Sequence, residues 1–134
     1  MDGKSSNDPA RYPRLLWWVS KPVNLSRAAR HRIGAESRIG VCAISCLEVA
    51  TAVEKGRISL DREPLEWFEQ ALALPKVELM PLTPPIAVKA TQLGRAFPGD
   101  PADRLIVATM ILESAALITK DSRIRDYKAV ITIW

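Results

Sequence analysis

The sequence predicts an α/β fold in which a parallel sheet is covered by helices on both faces. Short apolar runs alternate with helix-like segments, the order expected of strands joined by crossover helices. Two runs, Ile39–Ile44 (IGVCAI) and Ala116–Thr119 (ALIT), lack polar alternation, as strands buried on both faces do. The composition agrees: 48% of the 134 residues are apolar but only 6% aromatic, so burial rests on Leu, Ile, Val and Ala. That length fits one domain with one core.

Residues 1–14 (MDGKSSNDPARYPR) have neither periodicity and carry Pro9 and Pro13, so an irregular N-terminal arm is expected, with the domain running over 15–134. Leu15–Val19 is the first apolar segment. Asn24 or Ser26 caps a helix through Arg30 and Ile33 that stops at Gly34. After the Ile39–Ile44 strand, Ser45 opens a helix through Lys55, closed by Gly56. Leu65–Leu74 is amphipathic and ends near Pro75. Val77–Leu82 alternates like a strand, and Pro85–Leu93 restarts as a helix with prolines in its first turn. Asp100-Pro101 leads into a strongly apolar helix, Ala102–Ala115. The Ala116–Thr119 strand follows, then a turn or short helix over Asp121–Tyr127 and a terminal strand, Val130–Trp134.

Several kinds of chemistry are excluded or disfavoured by composition. Cys42 and Cys46 are the only cysteines and His31 the only histidine, which is too few for a four-ligand zinc site of Cys and His. The thiols read as buried and reduced. Any Cys–His or Ser–His–Asp arrangement would need His31, which lies in a basic helix-like stretch where a solvated side chain is expected. No apolar run reaches the ~18–20 residues of a membrane span, and the polar N-terminus has no apolar segment like that of a signal peptide, so a soluble, cytoplasmic protein is expected. The net charge of +4 is uneven. Residues 1–40 hold eight basic and three acidic side chains, the remainder eleven and twelve. A basic flank beside an acidic body suits a protein that attracts phosphates and also holds metal, although an Arg-rich surface helix explains it equally well.

If this chain is an enzyme, carboxylates must carry the chemistry. In an open parallel sheet, sites form beyond the carboxyl ends of the strands. Glu48 falls four residues past Ile44, Asp121 two residues past Thr119, and Asp103 in the first turn of the apolar helix, so parallel strands would bring all three to one rim. Each has a plainer explanation. Ser45-Cys46-Leu47-Glu48 matches a capping box, Asp100-Pro101-Ala102-Asp103 matches another N-terminus, and Asp121 can cap the turn it opens. Together they are harder to dismiss. Carboxylates within ~5 Å repel by roughly 3 kcal/mol per pair at an effective dielectric of 20, so a shared rim asks for a cation. Oxygen donors select Mg²⁺ or Mn²⁺, metals suited to phosphodiester hydrolysis.

The stretches LLWWVSKPVNLSRAAR (15–30), AISCLEVATAVEKGRISL (43–60), PLTPPIAVKA (81–90), DPADRLIVATMI (100–111) and LITKDSRIRDY (117–127), in this order, resemble the PIN-domain family, in particular the VapC-type toxins of bacterial toxin–antitoxin pairs. The likeness covers nearly everything from Leu15 onward. It implies a three-layer α/β/α domain with a central parallel sheet and a Mg²⁺- or Mn²⁺-dependent endoribonuclease acting on RNA. The family's second, third and fourth acids map onto Glu48, Asp103 and Asp121 as catalytic and metal-binding residues. Asp100 matches a companion acid, Thr119 the hydroxyl beside the fourth acid, and Ser45 stands at the start of the segment carrying the second. A small cognate antitoxin and a homodimer are the partners implied.

The resemblance breaks at the start. PIN domains open with a central apolar strand ending in Asp, and counting back from Trp17 puts Arg11 at that position. SSNDPA, ahead of it, has no strand character, so the first strand is expected to be missing or altered. Asp8, held extended by Pro9, is the nearest substitute. Two functions therefore compete: a toxin-type endoribonuclease, and a catalytically impaired PIN domain that binds antitoxin or RNA without cutting. A doubly wound phosphatase is a distant third, because its nucleophilic Asp would come from the same first strand. Trp17, Trp18 and Trp67 are suited to stacking on bases, but core or antitoxin-interface packing is the simpler role for each; Trp134 is expected to pack at a sheet edge.

Overall fold

A computed structural model describes residues 15–16, 26–35, 38–97, 99–119 and 121–134. The elements are β1 (Leu15–Leu16), α1 (Arg27–Ala35), β2 (Ile39–Cys42), α2 (Ala43–Glu54), α3 (Pro64–Leu72), β3 (Val77–Met80), α4 (Pro84–Thr91), a 3₁₀ turn (Gly94–Ala96), α5 (Pro101–Glu113), β4 (Ala116–Ile118), α6 (Ser122–Arg125) and β5 (Ile131–Ile133). The strands form one sheet in the order β3-β2-β1-β4-β5, and every pairing is parallel.

The sheet does have a middle strand. Leu15 pairs with Ile39 on one side and Ala116 on the other, and Leu16 with Gly40 and Leu117. A first strand is therefore present, and its described residues lie in the first apolar segment. The arm 1–14, with Asp8 and Arg11, and Trp17 and Trp18 lie outside the described residues.

Helices cover both faces, and β4 shows how. Leu117 joins a core of Cys42, Met80, Phe97, Ile106, Val107 and Met110, on the side of α5. Its neighbours Ala116 and Ile118 point the other way and meet Ile33 of α1, Ile133 and Trp134. This alternation is the period-two rule of a strand, with apolar partners on each side. Trp134, expected at a sheet edge, packs against Ala116 and Ile118 of β4. Helix α5 is buried through the consecutive run Ile106–Met110, because the sheet takes one side and α4, through Ile86 and Ala90 on Ala108, takes another. Thr109 is tolerated there because its hydroxyl donates to the Leu105 carbonyl at 2.7 Å. Ser114, at φ 51°, takes a left-handed conformation that turns the chain from α5 straight into β4.

The main disagreement with the expected elements is at α2. The strand stops at Cys42 and the helix begins at Ala43, not Ser45. An apolar run such as IGVCAI has no internal mark where strand yields to helix. Ser45 thus lies inside the first turn and is buried, and Cys42 at the N-cap makes no side-chain cap. The thiols also differ from expectation: Cys42 is buried, whereas Cys46 is only half-buried. Burial pushes the Cys42 thiol up to about 12, against a smaller opposing effect of its hydrogen bond with Thr109.

Candidate active site

The three acids singled out from sequence line one cleft of about 160 Å³ at the carboxyl rim of the sheet, together with Ser45, Thr119 and the apolar floor Ile106, Leu117, Ile118 and Ile124. Each is held there differently. Glu48 lies one turn into α2 and is free of the capping box that would have explained it, since the helix starts ahead of Ser45. Asp103 is in the first turn of α5; its backbone N–H donates to Asp100 Oδ1 at 2.9 Å, so Asp100 is the N-cap and leaves the Asp103 carboxylate for the cleft. Asp121 does cap α6, accepting from the Arg123 N–H at 2.9 Å, and its own N–H donates to Thr119 Oγ1 at 3.1 Å. Thr119 therefore aims the turn that carries the last acid.

The loop before α5 is tied down by a residue the sequence reading passed over. The Arg104 guanidinium donates to the carbonyls of Phe97 at 2.7 Å, Gly94 at 2.9 Å and Gly99 at 3.2 Å, and lies 5.9 Å from the centre of the Phe97 ring. Phe97 is wholly buried. One side chain thus ties Gly94, Phe97 and Gly99 together just ahead of the Asp100 cap of α5. In the sequence Arg104 stands directly after Asp103 in the DPADR string, with no local pattern that marks its three carbonyl partners.

A second overlooked residue changes the site more. Arg123 Nη2 lies 2.8 Å from Asp121 Oδ2 and 3.1 Å from Asp103 Oδ2, and Nε is 3.2 Å from Asp121 Oδ1. The side chain of Asp103 is only 14% exposed and that of Asp121 30%, against 49% for Arg123. The electrostatics follow this arrangement. Arg123 holds the Asp121 carboxyl below its ordinary range. Burial and then Asp100 push Asp103 up, with Arg123 opposing them. Burial, followed by Asp103 and Asp100, pushes Glu48 up as well. Sequence showed only an Arg two residues past a capping Asp; its reach to Asp103 is tertiary.

The cleft is lined by oxygen donors, as a hard divalent cation prefers. Ser45 adds to this: it is 5% exposed, lines the cleft, and its hydroxyl donates to no other described residue. A buried hydroxyl without a partner is costly unless a ligand or water meets it. The donor set fits Mg²⁺ or Mn²⁺. The acids are not drawn into a cage, however: among the described residues no three Asp, Glu, His or Cys side chains converge closely enough to hold an ion. Glu48, Asp103 and Asp121 thus share one cleft, in which Arg123 pairs with both Asp103 and Asp121.

This is the architecture of a PIN domain, a parallel sheet with acids gathered at its carboxyl rim. The PIN-domain family model matches residues 15–130, and the chain belongs to that family. It is 40% identical over 120 residues to ribonuclease VapC22 of Mycobacterium tuberculosis, which covers 88% of this chain and 91% of that protein. Its fold resembles a toxin–antitoxin complex from Klebsiella pneumoniae, with a TM-score of 0.58 and 18% identity over 78% of this chain and 81% of the other. It also resembles VapBC2 from Rickettsia felis bound to a promoter DNA fragment, with a TM-score of 0.56 and 19% identity over 72% and 74% of the two chains. No helix among the described residues is long and apolar enough to cross a membrane.

Proposed function

We propose that this chain is a VapC-type endoribonuclease, the toxin of a toxin–antitoxin pair, which hydrolyses RNA phosphodiester bonds with Mg²⁺ or Mn²⁺. The observation that carries this reading is the cleft itself, where Glu48, Asp103, Asp121, Thr119 and Ser45 face one space at the sheet's carboxyl rim. The 40% identity to a named ribonuclease supports the reaction class. Glu48, Asp103 and Asp121 would hold the metal, which when bound supplies an activated water and charge stabilisation at the phosphate. The rest is positioning by the chain. Asp100 orders the turn under Asp103, Thr119 orients the Asp121 turn, and the apolar floor of Ile106, Leu117 and Ile118 keeps bulk water from behind the acids. A small antitoxin is the partner proposed, by analogy with the structures that share the fold, and a homodimer is the assembly proposed.

A second reading, a catalytically impaired domain that binds antitoxin or RNA, is favoured by one specific point: the residues that follow β1 are Trp17 and Trp18, not an acid. Cleavage of RNA with Mg²⁺ or Mn²⁺ separates the two. The enzyme reading expects turnover that Asp103→Asn lowers by at least ~10–100-fold, the range for disrupting a metal site. Absence of turnover with either metal, in a folded chain, selects the binding module.

A further inference from the structure

Among the described residues, Arg123 makes the side chain–side chain hydrogen bonds of the cleft, to Asp103 on α5 and to Asp121 at the N-cap of α6. A divalent ion bound to both carboxylates would sit ~2.0–2.1 Å from an oxygen of each. Arg123 Nη2 already stands 2.8 and 3.1 Å from those oxygens. An ion in that gap would press against the guanidinium, cation on cation, so the two cannot share it. Nor can the gap go without positive charge: Asp103 is mostly buried and has Asp100 and Glu48 as neighbouring like charges. Arg123 is also free to leave. Half of its side chain is exposed, and it lies on α6, a four-residue helix, with its guanidinium held in the described structure by these two acids alone.

We propose that Arg123 is an internal counter-cation that competes with the divalent metal for Asp103 and Asp121, so that metal enters the cleft only as the guanidinium swings out. The inference rests on the metal-site reading above and adds to it a gate: without metal, the chain is neutralised from within and its acids are closed. Once displaced, Arg123 stays at the mouth of the cleft as a positive charge on the side where a phosphate would approach.

The test is Mn²⁺ binding to the metal-free full chain by calorimetry, with thermal melting of the same samples. Arg123→Gln keeps the length and polarity of the side chain and removes the charge. It should bind Mn²⁺ roughly tenfold more tightly, the effect of one close charge, and should melt lower than wild type without metal, with Mn²⁺ closing the gap. Wild type that binds Mn²⁺ while Arg123→Gln binds it equally or more weakly overturns the competition and leaves the metal site standing. If neither chain binds Mn²⁺, the metal-site reading falls and the inference falls with it. Should Arg123→Gln not fold, Arg123→Lys, which keeps charge but loses the two-acid fork, should tighten Mn²⁺ binding by a few-fold; unchanged or weaker binding overturns the inference.

Discussion

A Cβ on Gly99 would stand 2.8 Å from the Cβ of Asp103, and 2.4 and 2.6 Å from two ring atoms of Phe97. No side chain of any size fits between them, and Phe97 is wholly buried and cannot yield cheaply. Gly99→Ala should therefore push α5's first turn outward, costing ~1–3 kcal/mol as overpacking does. Denaturant melts should show the loss, with weaker Mn²⁺ binding in the fraction that remains folded. A variant as stable as wild type would mean the loop moves freely and does not place Asp103.

Arg104→Ala should be among the more damaging changes away from the acids. It leaves the Phe97, Gly94 and Gly99 carbonyls without their donor and removes the stacking on Phe97. Hydrogen bonds to charged groups contribute ~1.5–3 kcal/mol, and shared donors on one loop do not add in full. A loss of about 2–3 kcal/mol in chemical denaturation is expected. Arg104→Lys should recover only part of it, since one ammonium cannot reach three carbonyls in a fork.

Acid and base should act on the cleft in opposite senses. Asp103 and Glu48 have raised folded values, so the folded chain binds protons more readily than the unfolded one. Their contribution to stability is complete below the ordinary carboxylate range and is lost as pH rises from about 4 through the raised values. Asp121 is lowered by Arg123, so its contribution is present above that range and is lost as pH falls through the lowered value. In metal-free protein, Asp103→Asn should flatten the decline on the alkaline side of pH 4. Stability curves against pH for the two proteins that stay parallel there would contradict this.

The thiols offer a cheap check on α2. Cys42 lies at its N-cap, buried, with its thiol pushed up to about 12, so an alkylating agent at pH 8 should leave it unmodified in the native chain. Cys46, half-buried one turn on and also raised by burial, should react slowly. Mass spectrometry should find a single adduct, on Cys46; equal labelling of both would place the strand–helix boundary elsewhere.

Much of this arrangement was legible in the chain. The parallel sheet followed from IGVCAI and ALIT, and the common rim of Glu48, Asp103 and Asp121 from their offsets past the strands. Local cues also held for Asp100 and Asp121, whose capping depends on neighbours within three residues. They failed where tertiary contact decides. Ser45 resembles a cap, yet Ala43 continues the helix back to Cys42 and buries the hydroxyl. The pairing of Arg123 with Asp103 spans twenty residues and has no periodic signature. Leu15–Leu16 carries no strand pattern of its own and is defined only by the ladders it joins.

That middle strand has a mechanical meaning. The sheet consists of two pairs of strands, β3-β2 and β4-β5, joined through β1. Glu48 follows the first pair and Asp121 the second, so the cleft straddles the join. A spread between these pairs would part Glu48 from Asp121 without unfolding either, and whatever clasps both at once, metal or bound protein, would act as a rivet across the middle of the sheet.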